Sequence, residues 1–184
     1  MTAIAVRTVQ ELATDTRAIN LVNGWGTTFT MADLPGYLAL LHSEVTEAFQ
    51  ATPHDETACE LGDVIVRALD LCELIQPGVI GALYIEGPTL ETTCFPARTN
   101  PRYIPQSLAL LHLHSLISEV LESYRKVKDP DEMRGAVFAG LCDVIAYAWA
   151  CMRVVTPLRT PTLVIEEILT KNRERGYRHG GRRT

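Results

Sequence analysis

One nine-residue stretch of this sequence resembles a second, and that internal similarity restricts the fold more than any other feature. Leu41-His-Ser-Glu-Val-Thr-Glu-Ala-Phe49 is matched by Leu116-Ile-Ser-Glu-Val-Leu-Glu-Ser-Tyr124. Past a proline-capped turn, each copy continues into an L-x-D-V-I core: Leu61-Gly-Asp63-Val-Ile65 in the first and Leu141-Cys-Asp143-Val-Ile145 in the second. Self-similarity of this kind marks a repeated supersecondary unit. Here the unit is a helical hairpin. One hairpin alone would leave an apolar face in water, so packing the two copies together gives a four-helix core within one chain.

The punctuation agrees with helices. A cap residue followed by proline supplies both a side-chain acceptor and a preset φ for a first turn, and Thr52-Pro53, Asp129-Pro130 and Thr160-Pro161 all have this form. Together with the apolar periodicity they predict helices at about 6–23, 33–51, 53–75, 105–127, 130–155 and 161–174, with no strand ladder. Between Pro77 and Pro105 lie five of the ten prolines, with Gly78, Gly81 and Gly87, which predicts a connector that partly wraps the surface. The expected fold is all-α: a four-helix-bundle-like core of two tandem hairpins plus N- and C-terminal helices. As a single domain over 1–184 it divides into repeat 1 at about 33–75, the connector at 77–105, a degenerate repeat 2 at about 105–155, and a C-terminal helix with a basic tail at 161–184.

A chain of 184 residues, 47% apolar and 21% charged, is long and hydrophobic enough for a self-sufficient core. Its formal net charge of −5 argues against nucleic acid or an anionic membrane as partner. Cys59, Cys72, Cys94, Cys142 and Cys151 form no C-x-x-C pair and mostly sit in apolar helical stretches, the pattern of a reducing, cytoplasmic protein. The first residues lack the basic start and apolar block of a signal peptide. The most membrane-like run, Gly135 to Met152, is short for a span and carries Asp143, so it reads as a buried helix.

Four acids stand out. On a helix, positions i and i+3 share a face, so Glu44 and Glu47 form one carboxylate pair and Glu60 and Asp63 another. A solvated acidic stripe is the commonest fate of a single E-x-x-E. Three features argue against it here. Val64, Ile65, Val66, Ala68, Leu69 and Leu71 surround the second pair on nearly every side of its helix. Both pairs lie on antiparallel neighbours joined by a short turn. Between Glu44 and Asp70 the only basic residue is Arg67, so converging carboxylates call for a hard divalent cation; an all-oxygen donor set selects Mg²⁺ or Mn²⁺ over zinc.

Glu44-Val-Thr-Glu47, twelve residues, then Glu60-Leu-Gly-Asp63 resembles the E-x-x-E…E-x-x-D signature of the MazG-like all-α nucleotide pyrophosphohydrolases, a group that includes dimeric dUTPases. The tail Lys171-Asn172-Arg-Glu-Arg175-Gly-Tyr177 is similar to that family's K-N-x-x-R-x-Y element. The resemblance spans Trp25 to Asp70 and Leu163 to Gly181. It implies Mg²⁺-dependent hydrolysis of a (deoxy)nucleoside triphosphate between the α and β phosphates. Glu47, Glu60 and Asp63 would then act as ligands and Glu44 as ligand or base, roles that the residues alone leave open. It also implies that Lys171, Asn172, Arg175 and Tyr177 close over the nucleotide and become ordered on binding it. A dUTPase of the same superfamily and a non-catalytic helical nucleotide-binding module are the competing functions, and a homo-oligomer is compatible with either.

Other residues carry weaker signals. Asp70 can approach the sugar or base of a nucleotide, or form a surface pair with Arg67 that would contribute little. Trp25 can stack on a base or close the core edge. His112 and His114 point about 200° apart on a helix, so they are not a zinc pair, and His42 reads as a hydrogen-bonded structural histidine. No P-loop, nucleophile elbow or HD-type pattern is present. In the second repeat Glu119, Glu122 and Asp143 persist, but Gly140 stands in the place of Glu60, while Tyr147 and Ala150 replace Arg67 and Asp70. One competent site per chain is therefore expected, with the second copy as packing partner.

Overall fold

Local chemistry sets several element boundaries in the computed structural model, which describes residues 7–52, 54–83, 99–157 and 160–177. The order is α1 (Val9–Val22), a 3-10 turn (Met31–Asp33), α2 (Leu34–Gln50), α3 (His54–Ile75), α4 (Ile80–Leu83), α5 (Gln106–Lys126), α6 (Pro130–Val155) and α7 (Pro161–Glu174). Among the described residues there is no strand, and the all-α expectation holds.

Local chemistry explains most of the ends. Thr8 and Glu11 form a reciprocal capping box at the start of α1. Asp129 accepts from the backbone N–H groups of Asp131 and Glu132 at the start of α6. Thr160, expected to do the same for α7, makes no side-chain cap; there the proline at the first turn supplies the preset φ by itself. Pro53 lies outside the described residues. After α3 the chain turns at Gly78, with φ 74°, and the carboxylate of Glu73 accepts its N–H. The short α4, within the expected connector, was not legible in sequence; its Ile80 is fully buried rather than wrapped on the surface. Residues 84–98, with Cys94, lie outside the described residues.

Four helices form a ring: α2 packs on α3 and α5, and α6 packs on the same two. This is the bundle of two hairpins, one from each repeat, around one core. Outside the ring, α1 and α7 both cover α3. With neighbours on all these sides, α3 buries Leu61, Val64, Ile65, Ala68, Leu69 and Cys72. Gly62 permits the approach of α7: a Cβ there would stand 2.4 Å from Cδ1 of Ile168. Helix α6 is long and apolar enough to cross a membrane by length and composition, but 67% of its most apolar window is buried against the rest of the protein.

Candidate functional site

The tight α2–α3 connection places two helix faces side by side. Glu44 and Glu47 project from α2 and Glu60 from the first half of α3, and one oxygen from each can lie within 4.8 Å of the other two. Glu44 is buried, Glu60 half-buried and Glu47 exposed, so the cluster opens to solvent on one side. Asp63, one turn further along α3, stands outside this triad but close enough to Glu44 to feel its charge. The four expected acids are thus a group of three with a fourth beside it.

Burial and mutual repulsion dominate the electrostatics. Glu60 is pushed up to about 7, first by desolvation, then by the charges of Asp63, Glu44 and Glu47, and by a hydrogen bond to Glu44. Asp63 is pushed up to about 6 by burial and by Glu44, against the opposing pull of Arg67, Arg175 and Lys171. Near neutral pH a proton on Glu60 therefore does part of what a cation would do between these carboxylates.

The sequence expectation about Arg67 and Asp70 is corrected. Arg67 reaches across to α2, where Nε donates to Oε1 of Glu44 at 2.8 Å and Nη2 lies 2.6 Å from the same oxygen as an ion pair. Asp70 is buried instead, and Arg17 of α1 donates to it at 2.7 Å. The second η nitrogen of Arg17 donates to the carbonyl of Trp25 at 2.6 Å. Asp70, pushed to about 6 by burial, thus ties α1 and α3 to the Trp25 loop, and a buried pair with Arg17 replaces the expected surface pair with Arg67. Arg17 was missed because nothing in the sequence shows that α1 crosses α3 at this point.

A cavity of about 360 Å³ opens beside that tie, lined by Trp25, Phe29, Asp33, Tyr37 and Leu40 among others. Phe29 meets Tyr37 edge-on, with centroids 5.4 Å apart and planes at 89°. Tyr37 sits two turns before Glu44 on the same face of α2, so the aromatic wall and the carboxylates are about 10 Å apart along one helix. The spacing i, i+7 is a signal from which Tyr37 was readable in the sequence.

The tail joins this region. Lys171 and Asn172 lie near the C-terminal end of α7, and the charges of Lys171 and Arg175 act on Asp63. Asn23, buried after α1, donates to the backbone carbonyl of Asn172 at 2.8 Å. Gly24, with φ 81°, lies under the ring of Tyr177; a Cβ there would meet that ring at 2.3 Å. Through Tyr177 the tail packs on the loop that walls the cavity. Residues 178–184 lie outside the described residues.

In the second repeat Glu122 is engaged by Lys126 at 2.7 Å and Arg125 at 3.3 Å on its own helix. Asp143 is raised by partial desolvation and by Glu119. Gly140 serves packing: a Cβ there would stand 2.8 Å from Cγ2 of Val120. His112 packs edge-on to Tyr147, while His114 and His42 pair through Nδ1 at 2.7 Å, as structural histidines do. No family model matches the chain, and no curated protein or solved structure is significantly similar to it.

Proposed function

We propose that the chain is a Mg²⁺-dependent (d)NTP pyrophosphohydrolase of the MazG-like kind, giving the nucleoside monophosphate and pyrophosphate. One observation carries the reading: two members of a carboxylate triad share α2 with a wall of an aromatic-lined cavity, and Asp63 beside the triad feels the charges of Lys171 and Arg175. An acidic stripe on a solvated helix would have none of these neighbours.

The donor set fits Mg²⁺, with Mn²⁺ as substitute, because every available atom is a carboxylate oxygen. Glu44, Glu47 and Glu60 would hold the ion, with Asp63 beside them. When bound, such an ion offsets phosphate charge and acidifies a water. The protein supplies the rest. A carboxylate of this group that is not fully used as a ligand would take the proton of an attacking water. Trp25, Phe29 and Tyr37 offer flat faces for a base. Lys171 and Arg175 provide N–H donors where charge builds on the leaving pyrophosphate.

The test is pyrophosphate release from a panel of ribo- and deoxyribonucleoside triphosphates, dUTP included, with Mg²⁺ and again with chelator. Chelator-sensitive release of pyrophosphate together with the monophosphate is expected from at least one nucleotide. A folded protein that yields no pyrophosphate from any of them would end this reading.

A further inference from the structure

On the pyrophosphohydrolase reading, we propose that Arg67 is a triphosphate-binding residue that the free protein parks on Glu44 and that a divalent cation at Glu44 releases toward the phosphates. The acidic signature does not include this residue. Its assignment comes from where its guanidinium lies and from what that guanidinium leaves unused.

Guanidinium and carboxylate commonly pair through two parallel bonds to two different oxygens. Arg67 instead directs both Nε, at 2.8 Å, and Nη2, at 2.6 Å, at the single oxygen Oε1 of Glu44. Among the described residues its remaining N–H groups have no hydrogen-bond partner. The two side chains differ in access: that of Glu44 is 8% exposed and that of Arg67 is 43% exposed. The carboxylate is therefore the more enclosed member, and the half-exposed guanidinium is the one that can swing toward solvent. A cation drawn to the triad and Arg67 compete for the same Glu44 charge.

Position on α3 decides where the freed group goes. Arg67 follows Asp63 by four residues and Glu60 by seven, so its stem rises from the same face as both acids. Its charge acts on Asp63, as do those of Lys171 and Arg175. A triphosphate brings more negative charge than one divalent cation offsets, and a freed guanidinium meets part of that excess. The planar fork of arginine suits phosphate oxygens in a way that a lysine ammonium does not.

Competition and phosphate binding make effects of opposite sign, which a purely structural clip would not. Arg67→Gln and Arg67→Lys are compared with the wild-type chain at pH 8, so that protons do not compete for the carboxylates. Binding of Mn²⁺ alone is read by electron paramagnetic resonance, binding of the magnesium complex of inorganic triphosphate by calorimetry, and folding by circular dichroism. Arg67→Gln is expected to bind Mn²⁺ about two- to fivefold more tightly, the scale of losing a half-exposed ion pair. It is expected to bind magnesium triphosphate at least about tenfold more weakly, the scale of a lost charged hydrogen bond. Arg67→Lys should fall between. If Arg67→Gln leaves both affinities unchanged, or weakens both together, the assignment of Arg67 is overturned while the metal site stands. A wild-type chain that binds no Mn²⁺ overturns the metal site itself and the proposed function with it.

Discussion

Arg17 and Asp70 stand 53 positions apart in the chain and 2.7 Å apart in space, and the guanidinium that holds Asp70 also holds the carbonyl of Trp25. Both side chains are largely buried, so the pair has little water to fall back on if one partner is lost. Removing one member of such a pair strands the other's charge, at a cost of about 3–5 kcal/mol. We expect Arg17→Ala or Asp70→Ala to lower the melting temperature sharply. A double replacement by apolar residues of similar size should recover much of it. A double-mutant cycle by thermal melts measures the coupling, and additive effects would show that the two residues do not act as a pair.

On the proposed function, loss of Glu47 from the ion-holding group or of Asp63 beside it should separate activity from stability. Glu47→Gln or Asp63→Asn is expected to lower kcat by at least about a hundredfold with helicity intact. In the absence of divalent ions both variants should melt no lower than wild type, because each removes like-charge repulsion. Added Mg²⁺ should raise the melting temperature of the wild-type chain far more than that of either variant. Near-normal turnover in Asp63→Asn would remove that residue from the site.

The acids also fix a pH dependence. Glu60 at about 7 and Asp63 and Asp70 at about 6 all hold protons more tightly folded than unfolded. A raised folded pKa contributes stability that is fully present below the unfolded value and is lost as pH rises through the folded one. Without divalent ions, the melting temperature should therefore fall between about pH 4 and pH 7, by a few degrees overall. Glu60→Gln should flatten the upper part of that decline, and excess Mg²⁺ should offset it. A wild-type melting temperature that rises steadily across this window would contradict the raised values.

The two repeats should respond unequally. Asp143→Asn is expected to leave kcat within a few-fold of wild type, whereas Asp63→Asn abolishes most of it; equal losses would mean that both copies take part. In the same helix Trp149 is buried, and among the described residues its Nε1 has no partner. Trp149→Ala should cost about 3–5 kcal/mol through the cavity it leaves. Trp149→Phe should cost much less, since it also removes an unsatisfied donor. Thermal melts of the two variants give the comparison.

Helix placement was legible in the sequence because its causes are local. Caps, first-turn prolines and apolar period act over a few residues, and observed helices such as 130–155 and 161–174 coincide with those expected. The hairpin repeat likewise made the four-helix core readable, since two copies with the same apolar face have one obvious way to cover it. The grouping of Glu44, Glu47 and Glu60 was readable for the same reason: i, i+3 spacing and a short turn leave little freedom. What only the tertiary structure decided is which charge meets which. Arg67 answers Glu44 rather than Asp70, and Asp70 answers Arg17. Ion pairs depend on how helices far apart in the chain cross, and no local spacing encodes a crossing. The same holds for Tyr177 on Gly24 and for the buried Ile80, each set by a neighbour many residues away.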